Sequence, residues 1–411
     1  MTTPLLESRP ASGVRPTPSK PTGGLLSWPG WALGWLWAFA VGAVFCTQLA
    51  LSFLVLGWLG RWVRGRVLRG LYLASPRRDV VPLADACADL GERVPGRPHW
   101  FLRDGSSEKP TARTFLGRLL WPVWSVGVNL QMGLKLFVGT WLVLGWACLL
   151  LFFGWEYGWE ISFGKVYERS FVGASTTFLA LTLCAVLLPY ALLAQVHMAV
   201  TGELKSVLDH RLIRRMIRVS LVPLIALAVL LLGFGTIFEG LKSVGRLAMG
   251  NHLGSEPTAA EIRALDGLLR TYFFWSCVGL MAALLVVKGV AARIYRGALV
   301  QLLRRGEVRP DELPLALRRW VVGLRLDAPA TPVAPSRLWS AARFVGRGGL
   351  RVALFLALFL FLFRGHVGVF LTYDPGPASS FLNQPLVQAP WFGFTPGNLE
   401  ELAREAEAER P

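Results

Sequence analysis

A chain of 411 residues is long enough for two or three soluble domains, but its composition excludes them. Hydrophobic residues make up 53% against 17% charged, with a mean hydropathy of +0.47, which leaves too few polar groups to cover a surface facing water. The formal charge of +17 raises nucleic-acid binding as a function, and the placement of that charge along the chain argues for a membrane instead.

Residues 1–27 are a polar tail rich in Pro, Ser, Thr and Gly, with too few large apolar side chains to fold alone. The apolar run that follows extends to Trp58, far beyond the 7–15 residues of a cleaved signal core, so it is predicted to remain as a membrane helix. A hydrocarbon core about 30 Å thick needs roughly 20 apolar residues at 1.5 Å rise each. Six stretches meet that requirement: 31–58, 136–155, 171–196 with a kink at Pro189, 221–238, 272–290 and 352–371. The predicted fold is all-α, an integral membrane domain of six transmembrane helices over residues 28–372. Trp58, Trp62, Trp155, Trp159, Tyr272 and Trp275 stand at span ends, where an interfacial belt requires aromatic rings.

Lys and Arg give the direction. Segments 61–128, 198–218 and 288–351 hold 12, 5 and 13 basic residues, a total of 30. The opposite set, made of the N-terminal tail, 155–170, 239–270 and the C-terminal tail, holds 11, and Lys135 and Arg364 complete the 43. By the positive-inside rule the first set is cytoplasmic and both termini lie outside the cytoplasm. If 31–58 were instead a tight hairpin, the N-terminus would be cytoplasmic. Topogenesis and attraction to anionic inner-leaflet lipid account for the Arg excess, so no nucleic-acid partner is expected.

Between the spans, Trp62, Val63, Val67, Leu68 and Leu71 recur at helical spacing among arginines and predict an amphipathic helix along the cytoplasmic surface. A short helix is predicted from Pro82 to Val94, and an interfacial helix from Leu116 to Gly133. Arg293 to Gly297 followed by Pro314-Leu315-Ala316 parallels Arg66 to Gly70 followed by Pro82-Leu83-Ala84. The parallel suggests a degenerate parallel repeat, spans 1–2 against 5–6. Between spans 3 and 4, Gly202 allows a sharp exit and residues 205–219 form another basic amphipathic helix. Tyr190-Ala191, Gly202-Glu203 and the surface helix Leu208 to Arg218 resemble uncharacterised polytopic bacterial membrane domains of unknown function, over about residues 190–240. The resemblance implies fold class and a bacterial inner-membrane location, and it brings no activity, substrate or catalytic residue. Residues 373–411 are a Pro-rich, then acidic, tail.

Arg364 is the one unexpected charge, at mid-depth or in the outer half of the last span, where a charge costs about 2.5–3.5 kcal/mol on insertion scales. His366 is close in sequence, and Glu156, Glu160, Glu239 and Asp374 at outer span ends are candidate partners. These define either an outward-opening ion or anionic-ligand site, or a structural ion pair or a snorkelling arginine. Lys135 and His197 sit at inner span ends, Lys135 reaching headgroups. The five His and five Cys show no ligand spacing, so no metal, disulfide or cofactor is expected, and P-loop, HExxH and GxSxG patterns are absent. The function expected is a non-enzymatic structural or accessory component of the cell envelope, with membrane-protein or self-association partners. The alternative is a transporter or channel for a small, anionic solute passing near Arg364.

Overall fold

The computed structural model describes residues 27–92, 94–101, 124–154, 170–252, 259–326, 337–371 and 404. Among these the chain is all-helical, with no strand. Its helices are α1 (Ser27–Phe45), α2 (Leu49–Ala74), α3 (Leu83–Asp89), α4 (Trp124–Phe153) and α5 (Ser170–Thr201), followed by α6 (His210–Val219), α7 (Leu221–His252), α8 (Ala259–Arg304), α9 (Leu315–Gly323) and α10 (Arg337–Leu371). Four stretches are long and apolar enough to cross a membrane: Ser125–Phe153, Gly173–Thr201, Phe274–Arg304 and Gly346–Arg364. The pair His210–Val219 and Leu221–Ile237, bent by 87°, passes the same test together and brings the number to five. Among the described residues the architecture is that of a multi-pass membrane protein with four to five candidate membrane spans, where six were expected.

The difference lies in the first apolar run. It is not one helix over 31–58: α1 ends at Phe45, Cys46–Gln48 turn, and α2 starts at Leu49. In a straight helix Trp35 and Trp58 would stand about 34 Å apart. Instead their rings lie 6.2 Å apart edge to face, and Trp35 is also 6.2 Å from Trp62. The run therefore folds back on itself as a helical hairpin. Segment 94–101 closes it. Trp100 stacks on Trp58 at 4.9 Å and donates from Nε1 to the Ala38 carbonyl of α1, while Trp58 Nε1 donates to the Pro98 carbonyl. Asn129 of α4, fully buried, donates to the carbonyls of His99 and Trp100 and accepts from Arg61 of α2.

α2 lies antiparallel along α4, with Phe53 against Phe137, Gly57 against Gly133 and Arg61 against Asn129. A Cβ on Gly57 would overlap the Asn129 carbonyl, and one on Gly133 would overlap that of Phe53. Small residues that let backbones touch are a standard means of joining helices in lipid, where the hydrophobic effect does not drive helices together. The predicted surface helix at 61–72 is the continuation of α2, and Trp62, Val63, Val67, Leu68 and Leu71 are buried by protein. The interfacial helix expected to end at Gly133 likewise runs unbroken into the span of α4 from Trp124, its first part lying outside the described residues. α6 is amphipathic as expected: it is capped by Asp209, presents Leu212, Ile213 and Met216 inward, and meets α7 at a near right angle.

At their arginine-rich ends, both long helices α2 and α8 are followed by a 3-10 turn and a short helix whose N-cap is proline, Pro82 for α3 and Pro314 for α9. The two units touch: Ser75 Oγ donates to Leu324 O at 2.7 Å and Arg77 to Gly323 O at 2.7 Å. The likeness stops there, because α4 packs along α2 whereas α10 packs on α7 and α5. The predicted tails, 1–26 and 372–411 apart from Arg404, lie outside the described residues.

The Gly57–Gly133 crossing sets a measurable contrast. Gly57→Ala is expected to lower unfolding stability in detergent by about 1–3 kcal/mol or more, since two backbones must separate. Gly127→Ala on the same helix pair, where a Cβ meets open space, is expected to be neutral or stabilising by roughly 0.5–1 kcal/mol. Equal effects of the two changes would show that the crossing is not the tight point.

Candidate functional site: a polar seam between four helices

Of the residues singled out around Arg364, the structure describes few side chains. Arg364 is exposed at the surface of α10, and among the described residues it makes no ion pair. Glu156, Glu160 and Asp374 lie outside the described residues. Glu239 and His366 are on α7 and α10, with their side chains outside that set. The two helices meet where Gly235 faces Phe361, one turn before Glu239 and Arg364 respectively.

The polar groups that the structure does bring together lie deeper, where α2, α4, α5 and α8 converge. Lys288 Nζ donates to Gln195 Oε1, Gln195 Nε2 donates to Thr140 Oγ1, and Thr140 Oγ1 donates to its own helix at Leu136 O, 2.8 Å away. The result is a chain from an ammonium through an amide and a hydroxyl to a backbone carbonyl. Beside it is a pocket of about 20 Å³, measured at the centres of water-sized spheres, enough for one or two water molecules. Leu56, Gly60 and Val63 of α2 and Leu136 and Phe137 of α4 form its apolar walls, and Thr140, Gln195 and Lys288 its polar side. By sequence Lys288 falls with the basic residues of 288–351, because it stands at the boundary of an apolar run. The available signal was its isolation: the next basic residue is Arg293.

About two turns nearer the arginine-rich end of α8 and on the same face, Tyr295 meets His197 of α5. The His197 ring is fully buried, its Nδ1 2.6 Å from the Tyr295 hydroxyl and its Nε2 3.6 Å from Asp209 Oδ2. The second distance is longer than a hydrogen bond and is an electrostatic contact. The His197 imidazole is the main cause that holds the Asp209 carboxyl below the usual carboxylate range, while partial burial pushes the other way. Around this centre the 202–209 turn is fastened from every side. Tyr190 donates to Val207 O at 2.5 Å and Lys135 to Gly202 O at 2.9 Å. Thr201 and Ser206 share a hydrogen bond of 2.8 Å, and Ser206 donates to Glu203 O at 2.6 Å. Lys135, expected to reach for headgroups, is thus spent on the end of α5. Gly202 has the positive φ (+76°) that the sharp exit from α5 requires.

No group of three or more His, Cys, Asp or Glu among the described residues is arranged to hold a metal, and all five cysteines are buried and unpaired by disulfides. No family model, curated protein or solved structure matches the chain. The resemblance of residues 190–240 therefore brings no family with it.

The Asp209–His197 contact has a signed pH consequence. A carboxyl depressed in the folded state adds stability that is fully present above its unfolded value, near 3.9, and is lost as pH falls through the folded value. Asp209→Asn keeps the helix cap at Leu212 but removes the charge. The stability gap between the wild type and this variant is expected to be constant near neutral pH and to close below about pH 4, as read from unfolding midpoints. A gap that widens on acidification contradicts the assignment.

Proposed function

We propose that the chain is a non-enzymatic structural or accessory component of the bacterial cytoplasmic membrane, with anionic inner-leaflet lipids and other membrane proteins or further copies of itself as partners. One observation carries this reading: many of the buried polar side chains tie one segment to the backbone of another. Trp58, Lys135 and Tyr190 each donate to a carbonyl at a turn or loop, Trp100 to a carbonyl of α1, and Ser75 and Arg77 to the end of α9. Groups used this way fix segments in place, whereas a solute path needs polar groups turned to a water-filled cavity. The exposed position of Arg364 favours a snorkelling arginine over a solute path past it.

Topology belongs to the same proposal. We infer five crossings preceded by a re-entrant hairpin, which places the N-terminus in the cytoplasm and the C-terminus outside. The fold-back of α1 on α2 supports this over a first full crossing. The N-terminal tail then adds Arg9, Arg15 and Lys20 to the side that already holds 30 basic residues, in keeping with the positive-inside rule. The repeat of spans 1–2 in 5–6 is supported only by the matching Pro-capped helices, so α2–α3 and α8–α9 are the parts we propose as copies.

Reporter fusions at the N-terminus, within 61–128 and within 291–326 are expected to behave as cytoplasmic, and a C-terminal fusion as external. An external N-terminal reporter would restore the six-span arrangement. In a cysteine-free background, Thr140→Cys and Ala199→Cys are expected to resist a bulky charged thiol reagent from both sides of the membrane. Labelling from either side would favour the transporter reading.

A further inference from the structure

We propose that Lys288 and the pocket beside it form a binding site for one small anion of about the size of chloride. The ammonium lies within the apolar stretch Phe274–Arg304, enclosed by four helices, and its remaining accessible surface lines the pocket. A cation taken out of water needs an opposite charge or enough hydrogen-bond partners. No carboxylate pairs with Lys288 among the described residues; its one hydrogen-bond acceptor there is the neutral amide oxygen of Gln195. An ammonium carries three donors, so two are free for another ligand. Gln195 adds a further donor, since its amide nitrogen carries two hydrogens and only one goes to Thr140. Thr140 has spent its hydrogen on Leu136 O and cannot serve. α2 brings only Leu56, Gly60 and Val63 to the pocket, so that wall offers nothing to compete with an anion.

Size selects among anions. Room for one or two water molecules suits a single compact ion. A phosphate, sulfate or carboxylate would press its extra oxygens against Leu136, Phe137 and Val196, where no donor meets them. The site is independent of the accessory-component reading, because a junction closed to bulky thiol reagents can either hold a halide or lack one.

The test uses the full-length chain in detergent at fixed ionic strength, with chloride replaced stepwise by gluconate. Unfolding is followed by the fluorescence of its tryptophans. The wild-type midpoint is expected to rise with chloride along a saturable curve, with bromide acting like chloride. K288M is expected to respond to neither, while K135M, whose lysine serves the Gly202 carbonyl, keeps the full response. If K288M does not fold, equilibrium dialysis of the wild type with labelled chloride decides: about one ion per chain, displaced by bromide and not by gluconate, supports the site. A wild-type midpoint indifferent to chloride, an unchanged response in K288M, or no bound chloride in dialysis overturns it, leaving Lys288 to Gln195 and water alone.

Discussion

A polar group buried between apolar helices has little water to fall back on, so most of its partners come from the chain itself. That constraint organises the fold more than any single apolar contact does. Asn129 illustrates it. A fully buried amide among apolar helices would be costly if left unpaired, yet its nitrogen meets two carbonyls of segment 94–101 and its oxygen meets Arg61. The same bonds that satisfy the amide join α2, α4 and the segment beneath the hairpin. Satisfying one residue and assembling three pieces of chain are one event.

The seam along α5 and α8 follows the same logic with a different outcome at each end. Near the arginine-rich end, His197, Tyr295 and Asp209 sit beside the 202–209 turn, whose surroundings supply carbonyls and hydroxyls in quantity. Deeper in, the supply thins to Gln195 and Thr140, and Lys288 is left with a neutral partner. Charge is balanced where the chain makes a turn and left open where it is purely helical. Within a helix each carbonyl already holds a backbone bond, so a side chain there can only share one, as Trp100 shares that of Ala38.

Hydropathy made the broad architecture legible, since long apolar runs in α4, α5, α8 and α10 have few other uses. The Pro82 and Pro314 caps and the exit at Gly202 were also readable, because each depends on a residue with a restricted or unusual backbone. The hairpin was legible only as the alternative to one long span. Its tip, Cys46-Thr47-Gln48, contains neither Gly nor Pro, and the fold-back is set by Trp58 and Trp100 meeting over a long stretch of intervening sequence. The candidate site was missed for a related reason. Arg364 stood out because it interrupts an apolar run, whereas Lys288 sits at the edge of one and looked like the first of the cytoplasmic bases. Which way such a lysine turns is decided by Gln195 and Thr140 on two other helices, and a one-dimensional pattern does not carry that information.

The closing contacts of the hairpin all come from residues later in the chain: Trp100 and Pro98 first, then Asn129 to hold that segment in turn. A ribosome makes α1 and α2 well before it makes these. These closing contacts are therefore complete only once Asn129 has been made, and the beginning of the protein is finished only after its middle has been synthesised.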